Sequence, residues 1–289
     1  MIDAHTHLFP DEVRRDRSSF CRRDEGFRLL YESERARLAG PEELLSAMEQ
    51  DGVEQSVICG FPWRDPGLCR EGNDYLLHCS RRFSGRMIPF ASLPASSPAL
   101  ARRELERSLS LGLRGIGEMA FYGRGMAARQ ARGLVSVLGG LAGEGVPVLL
   151  HVSEPVGHEY PGKVPDGLEP VYRLLTALPE VTFILAHWGG GLFFYELMPE
   201  VARAARNAFY DTAASPFLFD PRIYRLALTI VGPERILFGS DYPLLRPRRY
   251  FEELARTRIP ALLQKRIKGR NARVLLGGES SGVRRPGEV

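Results

Sequence analysis

His5 and His7 stand two residues apart in the run Asp3-Ala4-His5-Thr6-His7. An extended strand sends alternate side chains to one face, so both imidazoles point the same way and can close on a single metal ion. Three later apolar runs end in the same kinds of donor: Val146 to Leu150 leads into His151, Val181 to Ala186 into His187, and Arg235 to Ser240 into Asp241. Glu118 lies at the end of another, Gly115-Ile116-Gly117-Glu118-Met119. A lone histidine at a strand end is usually a satisfied structural group. Four histidines and an aspartate sharing that relative position are not explained that way, because burying so many polar groups without partners is costly. A divalent metal site accounts for them together.

Strand-like and helix-like segments alternate, which favours a parallel sheet with helical crossovers. Strands are expected near 1–7, 53–60, 86–91, 113–119, 146–151, 181–187, 207–212 and 235–240. Helical patterns lie near 41–51, 72–83, 98–111, 128–144, 168–178, 191–205, 219–231 and 247–257. Pro41-Glu42-Glu43 places proline and acids in a first turn, and Ser97-Pro98 offers an N-cap followed by proline. Eight strand–helix pairs point to a closed (β/α)8 TIM barrel, an α/β fold whose strand ends meet at a C-terminal mouth. One domain over 1–276 is expected, with 8–40 as a long arginine-rich loop or lid after the first strand and 277–289 as a disordered tail.

The 289 residues suffice for one large core, and the net charge of +4 is too small to imply nucleic acid or a membrane surface. Cys21, Cys59, Cys69 and Cys79 show no Cys-x-x-Cys spacing, which fits reduced thiols in a cytosol. No apolar run approaches the ~20 residues of a membrane span, and the first ligand strand starts where a secretory leader would stand. The expectation is a cytoplasmic protein acting on a small molecule; a homo-oligomer is compatible with it.

The signature Asp3-Ala4-His5-Thr6-His7, with His151 and His187 at later strand ends and Gly239-Ser240-Asp241-Tyr242-Pro243 near the end of the barrel, resembles the amidohydrolase superfamily, in its amidohydrolase-related (type 2) branch. Lys268-Gly269-Arg270-Asn271-Ala272-Arg273-Val274-Leu275-Leu276 resembles that branch's closing helix. The resemblance covers about residues 1–276. It implies that His5, His7 and Asp241 ligate a metal, that His151 is a further ligand or serves a second ion, and that His187 ligates that ion or holds an attacking water. Zinc is the first expectation, with manganese, iron and cobalt as variants, as one or two ions. Glu118 also resembles the Gly-Glu motif of TatD-type metal-dependent deoxyribonucleases. It either bridges two ions or orients a ligand histidine or substrate.

The first functional expectation is hydrolysis of a small amide, lactone or ester by a metal-activated water, with Asp241 as general base and the ion, helped by His187, stabilising the oxyanion. The alternative is a non-oxidative decarboxylase of an aromatic or unsaturated acid, whose carboxylate the metal holds. A TatD-like phosphodiesterase ranks third, because no basic stripe accompanies the mouth motifs. An arginine such as Arg64, or one from the 8–40 segment, would suit an acidic substrate. Trp63, Tyr122, Glu154, His158, Trp188 and Tyr242 are weaker candidates on mouth-side loops. Asp3 is read as supporting the two histidines, and His78 as structural. Gly189-Gly190-Gly191 is read as close backbone approach, since no lysine follows to make a phosphate loop.

Overall fold

The computed structural model describes residues 1–277 apart from positions 124 and 166. Eight parallel strands pair in chain order: β1 (Ile2–His7), β2 (Gln55–Cys59), β3 (Met87–Ala91), β4 (Gly115–Met119), β5 (Val148–Leu150), β6 (Phe183–Leu185), β7 (Ala208–Asp211) and β8 (Ile236–Leu237). Every strand lies within the range expected from its apolar run. The ring closes between its first and last strands through backbone bonds, Ala4 N–H to the Phe238 oxygen at 2.8 Å and Asp241 N–H to the His5 oxygen at 2.9 Å. Closure therefore sets His5 beside Asp241.

Alternation along the strands separates two apolar layers. Val148, Leu150, Phe183 and Leu185 face the surrounding helices, whereas Leu149, Ile184, Val57, Phe90 and Leu237 fill the barrel interior. Burying each such apolar side chain contributes roughly 1.5–3 kcal/mol. Ala272 and Leu276, on the helix Asn271–Gly277, join the interior cluster. That helix is fastened by the Asn271 amide, which donates to the Ile236 oxygen at 2.7 Å.

The crossover helices begin and end where local chemistry demands. Pro41–Asp51 starts on proline with two acids in its first turn, and the Glu43 carboxylate accepts from the Gly40 N–H at 2.8 Å. It stops at Gly52, whose φ of 72° is the left-handed cap a glycine tolerates. Residues 8–40, expected as a long loop or lid, carry three short helices: α1 (Asp11–Arg15), α2 (Arg17–Arg23) and α3 (Glu25–Tyr31). Asp16 and Asp24 cap the second and third of them. Helices this short gain little from propensity and are held by packing. Phe27 stacks on Trp63 at 4.8 Å and meets Phe61 edge-on at 5.2 Å, inside a buried cluster with Phe9 and Phe20. Trp63 is thereby a core residue and not a substrate contact. The tail expected over 277–289 lies, beyond Gly277, outside the described residues.

After β6 the chain turns through His187, Trp188 and three glycines, all at positive φ. A Cβ on Gly190 would collide with the Ser153 backbone oxygen, so this stretch is close backbone approach, as expected. Gly190→Ala should cost more than about 2 kcal/mol of unfolding free energy. Gly140→Ala, where a Cβ meets nothing within 4 Å, should change it by under about 0.5 kcal/mol. Urea titrations of both variants check the contrast, and equal midpoints would remove the packing argument.

Candidate metal centre

The side chains expected to converge do so at one end of the barrel. His5 Nε2 and His7 Nε2 lie 3.0 Å apart, and His7 Nε2 is 3.2 Å from Asp241 Oδ1. A second triad faces them: His151 Nδ1 is 3.0 Å from Glu118 Oε1 and 3.1 Å from His187 Nε2. Glu118 sits between the two groups, with Oε1 3.6 Å from both His5 Nε2 and His187 Nε2, and Oε2 3.7 Å from His7 Nε2. His5, His7 and Asp241 form one set of donors close enough to hold an ion, and Glu118, His151 and His187 form another.

Strand geometry explains how these residues face inward, and where simple alternation fails. His151 continues the inward parity of Leu149, and Asp241 that of Leu237. A register shift between Asp3 and Thr6 resets β1, so that Ile2 and Ala4 join the interior while His5 and His7 still turn into the mouth. A second shift between Ile116 and Met119 lets Glu118 enter. His187 (φ 57°) and Asp241 (φ 56°) take left-handed conformations uncommon for residues with a side chain. Such conformations concentrate at functional sites, where the surrounding structure holds them.

The nitrogens show what the site requires. Asp211 Oδ2 lies 2.8 Å from His5 Nδ1, so that nitrogen carries the proton and Nε2 offers a lone pair toward His7. His187 Nδ1 likewise donates to the Ala213 oxygen at 3.2 Å, leaving Nε2 to face His151 Nδ1. Lone pairs facing each other at 3.0–3.1 Å repel unless a cation or a proton lies among them. Nitrogen and oxygen donors spaced this way suit a divalent ion, whose ligands at about 2.0–2.2 Å stand about 3–3.5 Å from one another.

Protonation tells the same story. Burial works against a charge on His5, but the Glu118 and Asp211 carboxylates prevail and push it up to about 10. Burial also opposes charge on His187, yet its hydrogen bond to Glu118 and the nearby Asp241 raise it. Burial would raise Glu118, but His151 and His5 hold it well below the usual carboxylate range. Asp241 is lowered too, by the hydrogen bond from His7 and the charge on His5 overcoming burial. Positive charge is demanded at the centre of the cluster, whether it arrives as protons or as metal.

Asp211, the last residue of β7, was not singled out by its sequence. It is fully buried, holds the His5 ring through Oδ2, and accepts from the backbone N–H groups of His187 at 2.9 Å and Ala213 at 3.0 Å through Oδ1. The available signal was its place at the end of an expected strand. Asp3 touches no imidazole; its Oδ1 accepts from the N–H groups of Ser240 at 2.9 Å and His5 at 3.2 Å, and burial pushes its carboxyl up to about 7.

A cavity of about 430 Å³ opens above the cluster. Its floor presents His7, Glu118, His151, His187 and Asp241, and its walls include Tyr31, Phe61, Tyr122 and Phe217. Tyr31 and Arg37, from the segment after β1, were not singled out individually. Tyr122 stands with its ring 5.2 Å from His151, and His158 also lines the cavity. Other candidates fall elsewhere. Arg64 is exposed and pairs with Glu25 at 3.1 Å. Glu154 accepts from Tyr160 at 2.9 Å, and Trp188 is buried with its indole N–H on Ser215. Tyr242 is buried and donates to the Glu43 oxygen, while His78 is exposed on the helix Pro66–Arg82.

Comparison with known proteins adds the following. No curated protein sequence matches the chain. Among solved structures, 5-carboxyvanillate decarboxylase from Sphingomonas paucimobilis is similar with a TM-score of 0.78 at 17% identity, covering 96% of this chain and 98% of that one. 2,6-Dihydroxybenzoate decarboxylase from Rhizobium is similar at 0.70 and 19%, covering 96% and 98%. Dihydroxybenzoic acid decarboxylase from Polaromonas sp. JS666, with bound manganese and the inhibitor 2-nitroresorcinol, is similar at 0.69 and 20%, covering 96% of each. At such identities the likeness is one of fold. The enzymes named are nonetheless decarboxylases, which overturns the hydrolase expectation in favour of its decarboxylase alternative, and zinc gains no specific support. A profile described as Amidohydrolase matches residues 2–278, through every strand of the barrel and every donor at its mouth, so the chain belongs to the amidohydrolase family.

Proposed function

We propose that this chain is a divalent-metal-dependent, non-oxidative decarboxylase of an aromatic or unsaturated carboxylic acid. One observation carries the reading: the cavity divides into a floor of imidazole and carboxylate donors and walls of aromatic side chains. A flat apolar ring bearing a carboxylate matches that division, ring against Phe61 and Tyr122, carboxylate toward the floor. The decarboxylases of similar fold support it.

His5, His7 and Asp241 would hold the ion, with Glu118, His151 and His187 as the facing set. Manganese is favoured over zinc by the likeness to a manganese-bound decarboxylase, and these donors accept either. When bound, the ion supplies the positive charge that draws the substrate carboxylate to the floor. Asp211 keeps the His5 ring turned and its Nδ1 protonated, so that Nε2 remains a donor.

Loss of carbon dioxide from a ring needs a proton on the carbon that bears the carboxylate. That carbon–carbon bond then breaks, its electron pair stays with the ring, and carbon dioxide leaves. Asp241 is the carboxyl placed to deliver the proton, since its side chain is 17% exposed while that of Glu118 is 2%. His187 Nε2, 3.1 Å from His151 Nδ1 and 3.6 Å from Glu118 Oε1, faces the same space. The apolar walls keep bulk water from the ring. No helix among the described residues is long and apolar enough to cross a membrane.

Manganese-loaded protein incubated with a panel of hydroxylated benzoic acids should release carbon dioxide from at least one, and a chelator should abolish the release. Asp241→Asn should lower kcat by about 10²–10⁴-fold. Metal-replete protein that decarboxylates none of the panel would count against the proposal. Asp211→Asn should keep its fold by circular dichroism and weaken metal retention by about 10–100-fold, read by elemental analysis after dialysis. Wild-type retention in that variant would remove the positioning role.

A further inference from the structure

His5 is held from behind by Asp211 and His187 by the Ala213 oxygen, and His151 has a support of its own in the loop that follows β5. The nitrogen of His151 that points away from Glu118, Nε2, lies 3.2 Å from the Ser153 hydroxyl. Ser153 is buried, and its Oγ also accepts from the Val164 N–H at 3.0 Å. A third partner is the Tyr160 hydroxyl, which is hydrogen-bonded to Ser153 and donates to Glu154 Oε2 at 2.9 Å. Glu154 is in turn paired with Lys163, whose Nζ stands 3.6 Å from Oε1.

Counting hydrogens gives the direction of each bond. A hydroxyl has one hydrogen to donate and two lone pairs that accept. Tyr160 gives its hydrogen to the Glu154 carboxylate, which can only accept, so the bond between the two hydroxyls runs from Ser153 to Tyr160. Ser153 then has no hydrogen left for His151 and must accept from it. Nε2 is therefore the N–H of that ring. In the neutral imidazole this leaves the Nδ1 lone pair facing Glu118 Oε1 at 3.0 Å and His187 Nε2 at 3.1 Å. A lone pair set among other electron-pair donors is the arrangement that a bound cation satisfies.

The loop that carries this chain of bonds is closed on itself. Lys163, its side chain only 9% exposed, donates from Nζ to the oxygens of Val156 at 3.3 Å and His158 at 3.0 Å. His158, Tyr160, Pro161 and Gly162 meanwhile line the cavity. One loop is thus both a cavity wall and the support of a floor imidazole.

We propose that Ser153 is a positioning residue that, through Tyr160 and Glu154, holds His151 in the tautomer that offers Nδ1 to the metal. The inference rests on the proposed reading of the cluster as a metal centre, but its test does not depend on turnover. Manganese-loaded wild type and variants are dialysed against graded chelator, and the ion that remains is measured by elemental analysis. Ser153→Ala should hold the ion about 10–100-fold more weakly than wild type. Ser153→Thr, which keeps a hydroxyl, should recover most of that loss. Tyr160→Phe keeps the ring in the cavity wall but removes the acceptor of the Ser153 hydrogen. It should weaken retention by about threefold or more while the melting temperature of the metal-free protein stays at the wild-type value. A role in the wall alone predicts no change in retention for that variant, and it carries the test should Ser153→Ala fail to fold. Wild-type retention in Ser153→Ala or in Tyr160→Phe, or no recovery in Ser153→Thr, would each overturn the assignment. Wild-type protein that holds no manganese would overturn both this role and the metal reading beneath it. A protein that ranks the variants as expected but releases no carbon dioxide would keep the role of Ser153 and remove the decarboxylase reading.

Discussion

Ring nitrogens that face one another across 3.0–3.1 Å, and so need a proton or a cation between them, are the constraint on which the barrel mouth depends. Two hydrogen bonds create it: Asp211 fixes the proton on the far side of His5, and the Ala213 carbonyl does so for His187. Were either ring free to turn, the repulsion could relax by rotation. Because both are held from behind, each front nitrogen must be met by a proton on the facing ring or by a bound cation. The depressed Glu118 and Asp241 and the elevated His5 and His187 are the same demand expressed through protons.

Holding six such groups at one point requires backbone that regular strands do not provide. β1 and β4 each shift register just before their donors, and the donors after β6 and β8 sit at positive φ. Each departure re-aims a side chain that strict alternation would misplace. The glycines after His187 follow from the same crowding, since the turn that presents this imidazole must pass against the backbone of Ser153. Irregularity is concentrated at the mouth, while the apolar layers below it keep the ordinary alternation of a buried parallel barrel.

This division also explains what could be read from the chain alone. Apolar runs ending in histidine or acid mark both a buried strand and its chemical end, so the eight strands and the convergence of His5, His7, Glu118, His151, His187 and Asp241 were legible together. Asp211 was not, because Tyr210-Asp211-Thr212 contains no pattern that separates an orienting carboxylate from an ordinary strand end; only the fold brings it to His5 across 206 residues. The helices of 11–31 escaped for a different reason. They are too short for periodicity to show, and they are stabilised by Phe61 and Trp63, residues distant in sequence, of which Trp63 had been read as a mouth-side candidate.

Reaction type was hidden at a deeper level, because a floor that activates water and a floor that grips a carboxylate use the same donors. Electrostatics separates the two better than ligand identity does. Glu118, Asp241 and Asp211 bring three negative charges to the floor, and one divalent ion leaves that set negative by one before any histidine is protonated. An anionic substrate approaching such a floor needs further positive charge from protonated imidazole, from a second ion, or from the rim. Arg37, the permanently charged cation among the described residues lining the cavity, adds positive charge at its mouth.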